Sequence, residues 1–379
     1  MNSKIYALLI SLTSTLCASA ATVTYDGSGG TAFPFVDFNT DGKETIYLQS
    51  GNDITIKNYN VANGNALTPV TANGEFIRNQ GATGSSLIFE NCDIDSLSLA
   101  NVKPFFLNGN GNNTITLSNT TFIASGGSSN LAWDARSAGD QIINIASSTF
   151  GTSGSRLGLN FLPSGSINST GGTFSFNVYG TSSATSTAWL WDVNLSSAKG
   201  EDSTYQNSFN VGSYAEVYIQ NFTVGSNDAT GTASSTFKIS GANSSISITG
   251  GLNVNKSGIV EFEVIDGEVS TLSSANVNVL DGLLILDFSA ANLSKSTLGD
   301  EFKLISGAGS NWADIMAKLE GTADNEFVKV ITQNTGDTWE IFADGNDLKI
   351  TYYAIPEPST YAAIFGALAL AFAAYRKRK

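Results

Sequence analysis

The chain has no histidine, two cysteines and six prolines in 379 residues, and charged side chains make up only 14% of it. Without histidine, the usual general base and the commonest transition-metal ligand are both missing. Lys and Arg number 19 against 33 Asp and Glu, a net charge of −14. No basic patch can neutralise phosphates, which argues against nucleic acid as a partner. There is no Gly-x-Ser-x-Gly elbow, no phosphate-binding glycine loop and no cluster of cysteines. The sequence therefore nominates no catalytic, cofactor-binding or metal-ligating residue, and the expectation is a protein that is not an enzyme.

The polar positions are filled by Ser, Thr, Asn and Gly. Such a surface is solvated by hydroxyls and amides rather than by ions, as in extracellular β-proteins, whose turns use Gly and Asn and whose strands use Thr and Val. The N-terminus fits export. Lys4 precedes an apolar stretch over residues 5–16, and small residues follow at 18–20. That order reads as a signal peptide cleaved between Ala20 and Ala21. Cys17 follows Leu16, where a lipid-attachment box wants a small side chain, so cleavage after Ala20 is the better reading. Cleavage leaves Cys92 alone and excludes an internal disulfide in the mature monomer.

The C-terminus is more specific. Pro356, Glu357 and Pro358 precede an apolar run over residues 361–375, which ends in Arg376, Lys377, Arg378 and Lys379. This tripartite pattern resembles the PEP-CTERM sorting signal. The resemblance implies handling by exosortase, a membrane enzyme that recognises Pro-Glu-Pro and removes the tail. Fifteen apolar residues are marginal against the roughly 20 needed to span a bilayer, which suits a transient or tilted inner-membrane helix. The basic tail would stay on the cytoplasmic side. The proline pair predicts an extended, exposed segment around Glu357 that a protease can grip. A permanent single-span anchor is the alternative. The resemblance covers only the tail, and implies delivery to the envelope, surface or exterior.

Between the ends, alternating runs recur at residues 53–57, 86–90, 114–117, 141–145, 173–178, 216–219, 236–239, 245–249 and 259–265. Each is bounded by Gly, Ser or Asn and reads as a strand. No stretch over residues 21–282 shows a helical period. Residues 115–122 and 143–150 share a phrase ending in Thr-Phe, and Phe150 and Phe174 continue the spacing set by Phe122. Spacings of 20 to 30 residues suit the coils of a parallel β-helix. The phrase resembles the coils of pectin-lyase-like and autotransporter-passenger solenoids. The expected fold is all-β, a right-handed parallel β-helix. A pair of β-sandwiches also accommodates short strands, but Asn-rich turns and irregular coil lengths favour the solenoid.

The style changes near Gly282. Strands are expected at 283–289, 301–305, 327–331, 338–342 and 348–353, with an amphipathic helix over 311–320 placing Trp312, Ile315 and Leu319 on one side. This segment is placed to cover the open end of a solenoid. The division is thus a signal peptide (1–20), solenoid body (21–282), capping module (283–354) and sorting signal (355–379).

Several side chains merit individual weighing. Asp37, Asn39, Asp41 and Gly42 match half of a calcium loop, but Leu48 stands where the bidentate Glu belongs, so an ordinary turn is favoured. Asp93 and Asp95 share a strand face, a spacing that paired acids in glycoside cleavage could use, yet nothing else converges on them. Trp133, Trp189, Trp191, Tyr214 and Tyr218 would stack on sugars if sugars bind, with core or stacked-rung roles favoured. Sequons at Asn119, Asn168, Asn194, Asn221 and Asn243 arise readily by chance in such a composition. The expected role is structural or adhesive, at the surface or in the extracellular matrix, with exosortase, the membrane and extracellular polysaccharide as partners. The alternatives are a β-helix lyase or hydrolase using carboxylates with Arg78, Arg136 or Arg156, and a carbohydrate-binding module.

Overall fold

The computed structural model describes residues 21–34, 46–48, 51–68, 75–79, 84–95, 103–107, 111–123, 129–132, 139–160, 173–195, 206–227, 234–293, 299–354 and 358–376. Alternation in the body sequence becomes a parallel β-solenoid. The first sheet has eleven strands in strict chain order, beginning Ala21–Asp26, Asn52–Lys57, Ser85–Glu90 and Asn113–Ser118, and ending Gly258–Glu263, Leu283–Asp287 and Val328–Ile331. Every strand pairs in parallel with its neighbour. Adjacent strands stay in register while the coil length varies: Ser85 to Asn113 and Asn113 to Gln141 span 28 residues, whereas Asn144 to Asn177 and Asn177 to Asn210 span 33. The change of coil length leaves the register of the stack intact.

Register turns alternation into columns. Ile54, Leu87, Ile115, Ile143, Phe176, Phe209 and Phe237 follow one another inward, coil upon coil, and all are buried. Phe122 and Phe150 are register partners in the second sheet, with ring centroids 5.4 Å apart. Phe174 does not continue their row. It lies in the first sheet opposite Gln141, and the partner of Phe150 on the next coil is Ala188. A corner thus falls between Phe150 and Phe174.

The second and third faces change along the axis. Early coils carry a separate three-stranded sheet of Ile46–Leu48, Glu75–Asn79 and Lys103–Leu107. Further on, the short strands Thr149–Phe150 and Leu157–Asn160 both pair with one ten-residue strand, Ser186–Leu195. Ala215–Val224, Ser245–Val254 and Thr271–Leu280 repeat that bent strand. Corners rely on left-handed backbone at Asn58, Asn91, Asn119 and Asn243, a conformation that asparagine tolerates because its short amide bonds locally. Between residues 21 and 282 the helical content among the described residues is one 3₁₀ turn, Val61–Asn63.

Strand Asp300–Gly307 extends the second sheet, and the hairpin Thr338–Asp344/Asp347–Tyr353 joins it antiparallel. Helix α1, Trp312–Leu319, buries Trp312, Ile315, Met316 and Leu319. Both sheets have their last edges occupied. Asn325 Oδ1 accepts the Val328 N–H (2.9 Å) and Asp324 Oδ1 the Val330 N–H (2.9 Å). On the hairpin, Gly321 and Ile341 exchange both backbone bonds, and Glu320 accepts the Ala343 N–H at 2.9 Å. These contacts block the template an open edge offers to another chain.

Helix α2 spans Pro358–Arg376. Pro358, expected to lie in an extended segment, instead starts this helix, as a ring with fixed φ and no N–H can. Among the described residues no helix is long and apolar enough to cross a membrane. Arg376 closes α2, while Pro356, Glu357, Lys377, Arg378, Lys379 and Ala20 lie outside the described residues; Ala21 opens the first strand.

Cys92 is buried, with its Sγ 3.4 Å from the carbonyl oxygens of Ile56 and Glu90. Burial pushes its thiol up from 9.0 to about 11. The folded thiol ionises later than the unfolded one, so its contribution is full below pH 9 and falls as pH rises towards 11. Denaturant midpoints between pH 8.5 and 10, below the range where Tyr352 acts, are expected to drop in the parent chain and to drop less in Cys92→Ala.

Candidate functional site

The solenoid presents two outward faces built from short polar side chains. On the first sheet, parallel register aligns Thr116, Asn144, Asn177 and Asn210. The Asn177 amide donates to Asn144 Oδ1 (2.8 Å) and the Asn210 amide to Asn177 Oδ1 (2.7 Å), while Asn144 donates to Thr116 Oγ1 (3.2 Å). The same row continues into Lys238, clamped between Glu261 (2.9 Å) and Glu263 (3.0 Å). Burial pulls the Lys238 ammonium down, but the two carboxylates outweigh it and hold it above its usual value. Amides that satisfy one another along the axis form a rigid, neutral face.

On the second sheet, Trp189 and Tyr218 are register partners whose rings stack at 3.9 Å and 11°. The Arg156 guanidinium carbon lies 5.6 Å from the Trp189 ring centre, and the Tyr218 hydroxyl donates to Glu216 at 3.2 Å. Burial and then Glu216 raise the Tyr218 phenol. Below the stack, the column shrinks to Ser247 and Ser273, leaving an open depression of about 480 Å³ lined also by Thr249, Ser274, Ser306 and Asn346. Ser273 and Ser274 donate to backbone carbonyls of Ile246 and Asn276, both at 3.1 Å. Ser274 is buried, so it is the Ser273 oxygen that faces a ligand, chiefly as an acceptor.

Trp189 and Trp191 do point outward together, as their spacing predicts, but their surroundings differ. Trp189 is part-buried in the stack, and Trp191 is 39% exposed at the corner, where Asp192 also turns out. Tyr214 occupies a left-handed corner (φ 55°) and joins neither. Trp133, Arg136, Asn168 and the candidate calcium loop at 37–42 lie outside the described residues, as does the Arg78 side chain.

Asp93 and Asp95 share an outward face on one short strand, as expected. Asp93 Oδ2, however, accepts the Val61 N–H at 2.8 Å and so holds the 3₁₀ turn, while Thr121 and Ile123 flank the pair on the next coil. This is a structural use of a carboxylate. Among the sequons, Asn221 is committed on both sides of its amide, to Asp192 (2.8 Å) and the Gly251 N–H (3.1 Å). Asn119 and Asn243 are exposed at corners, and Asn194 is part-buried in its strand. Sequence reasoning missed the serine-lined depression, because nothing local in Ser247 or Ser273 says that they follow Trp189 and Tyr218 in one column. Among the described residues no group of three His, Cys, Asp or Glu side chains is disposed to hold a metal ion.

The fold places the chain in the class of parallel β-solenoids. Beyond that class, the chain matches no family model, no curated protein and no solved structure.

Proposed function

We propose that the chain is an exported bacterial surface or extracellular-matrix protein with a structural and adhesive role. In this reading the coils wind right-handed, as parallel crossovers overwhelmingly do. The signal peptide is cleaved between Ala20 and Ala21, and Pro356, Glu357 and Pro358 are recognised by exosortase. The helix behind them holds the precursor at the inner membrane until the tail with Arg376, Lys377, Arg378 and Lys379 is removed. The observation that supports the role best is the ladder Thr116–Asn144–Asn177–Asn210, a long neutral face whose groups bond along the axis. Such a face suits lying against hydrated polymer.

The exposed Trp191 and the depression beyond Tyr218 favour carbohydrate binding as a second reading. The facing sides of Trp189 and Tyr218 are closed to a pyranose, since each ring covers the other, and Arg156 lies against Trp189. A lyase or hydrolase has less support, because Arg156 is engaged with Trp189 and Asp93 with Val61.

The test expresses the full chain in a bacterium that has exosortase and takes the mass of the protein found outside the cell. The expected product starts at Ala21 and lacks residues 361–379, and a Glu357→Ala chain keeps its tail and stays with the membrane fraction. Extracellular product that still carries residues 361–379 sinks the processing step. The same product is then incubated with a panel of polysaccharides. Retention without new reducing or unsaturated ends is expected, and product formation would move the protein to the enzymes.

A further inference from the structure

The two ends of the solenoid are built differently. At the C-terminal end, Asp324 and Asn325 occupy the edge donors of Val328–Ile331, and Gly321 and Glu320 those of the hairpin. At the N-terminal end, strand Ala21–Asp26 pairs only with Asn52–Lys57, and among the described residues no strand lies beyond it. Its side chains show that the column is unfinished. Val23 heads the inward column continued by Ile54 and Leu87, which are 5% and 0% exposed, yet Val23 is 38% exposed.

The backbone is also unfinished in a defined way. The Gly27 N–H donates to the Lys57 carbonyl at 2.9 Å, so odd-numbered groups of this strand turn towards its neighbour. Alternation then turns the N–H and C=O groups of Thr22, Thr24 and Asp26 outward.

We propose that this edge is a self-association surface, on which two copies pair their Ala21–Asp26 strands antiparallel about a two-fold axis through Thr24. That register keeps inward side chains on the inward face. Thr24 meets Thr24, a favourable cross-strand pair, and Val23 meets Tyr25 twice, a β-branched residue against an aromatic one. Thr22 meets Asp26, whose charge is already matched by Lys57 at 3.3 Å, so no like charges are opposed. A head-to-tail stack would need the donors of Val328 and Val330, which are taken. One sealed end and one open end close the assembly at two copies, with no route to a fibre.

The test secretes the full chain from a bacterial host and reads its mass in solution. Twice the single-chain mass is expected. Thr24→Lys sets two ammonium groups face to face on the axis and is expected to weaken association by more than about tenfold, with the unfolding temperature of the separated chain unchanged. Thr24→Cys is expected to form one interchain disulfide under mild oxidation, because a hydrogen-bonded antiparallel pair sits about 5.5 Å apart at Cα, within disulfide reach. Thr22→Cys faces Asp26 and is expected to stay unlinked. A monomeric parent, a Thr24→Lys chain that dimerises as before, equal linking at Thr22, or a ladder of higher multiples would each overturn the proposal.

Discussion

Replacing Phe209 by alanine is expected to cost about 3–5 kcal/mol, the range for emptying a buried aromatic site. Phe209 is fully buried, and its ring lies 5.2 Å from Phe176, 5.6 Å from Phe237 and 5.8 Å from Phe222. It therefore joins the aromatic rows of both sheets at mid-length. Neighbouring coils cannot close over the hole, because each is held at the ladder spacing by its own backbone bonds. In a solenoid each coil is stabilised mainly by its neighbours, so the loss should appear as separate unfolding of the two halves. Hydrogen exchange resolved by peptide checks this: protection should fall first in Thr173–Tyr179 and Ser234–Ser240, with the terminal coils following later. Uniform loss of protection along the whole chain would count against a column that acts locally. Phe209→Leu, which fills most of the space, should cost much less.

The second large effect sits under the cap. Tyr352 is fully buried, stacks on Phe288 at 4.1 Å and 17°, and donates its hydroxyl to Asp337 Oδ2 at 2.6 Å. Its oxygen also accepts the Gln333 N–H at 2.6 Å, and the same carboxylate oxygen accepts the Asn334 N–H at 2.8 Å. Tyr352→Phe keeps the ring but strands the Gln333 N–H and takes one donor from Asp337 Oδ2, which should cost about 1.5–3 kcal/mol, as for a hydrogen bond to a charged partner. Burial, followed by the bond to Asp337, raises the Tyr352 phenol well above its ordinary 10.0. A raised acid stabilises the fold fully below the unfolded value and loses that contribution as pH rises through the folded one. The parent should therefore lose stability above pH 10, and Tyr352→Phe should be weaker at pH 8 yet lose less on going to high pH. Unfolding midpoints of both chains from pH 8 to 12 decide it.

A smaller expectation concerns the candidate calcium loop at 37–42. Because position 48 is leucine, calcium added to chelated protein should leave the unfolding temperature unchanged, and a rise would restore the site.

Much of the fold was legible because parallel strands in a solenoid keep the simplest pattern there is. The runs at 53–57 and 114–117 alternate without interruption, those at 86–90 and 141–145 do so apart from Ile88 and Ile142, and each became a strand of the first sheet. The shared phrase ending in Phe122 and Phe150 marked true register partners. The second face was harder to read. Asp93–Asp95 and Thr149–Phe150 are too short to show a period, and Ser186–Leu195 breaks its alternation at Trp191 and Asp192, where two consecutive residues face out around a corner. Spacing alone put Phe174 on the row of Phe150, since counting residues cannot tell which side of a corner a strand occupies. The sealing of the last edges was equally invisible. Glu320, Asp324 and Asn325 look like loop residues in the sequence, and their work depends on which backbone donors the fold leaves beside them.

Because the strands run across the long axis, the backbone hydrogen bonds between coils point along it. A pull applied between the two ends of the molecule therefore loads one coil boundary at a time, as in peeling, instead of shearing many bonds together. Each released coil of 28 to 33 residues frees roughly 90–120 Å of extended chain, at 3.3–3.6 Å per residue. A protein held at one end and tugged by a polymer at the other would thus lengthen in steps at low force, and with no disulfide tying coils together among the described residues it could rewind when the tension falls. Under the proposed surface role, such an architecture would act as an extensible tether as much as a wall.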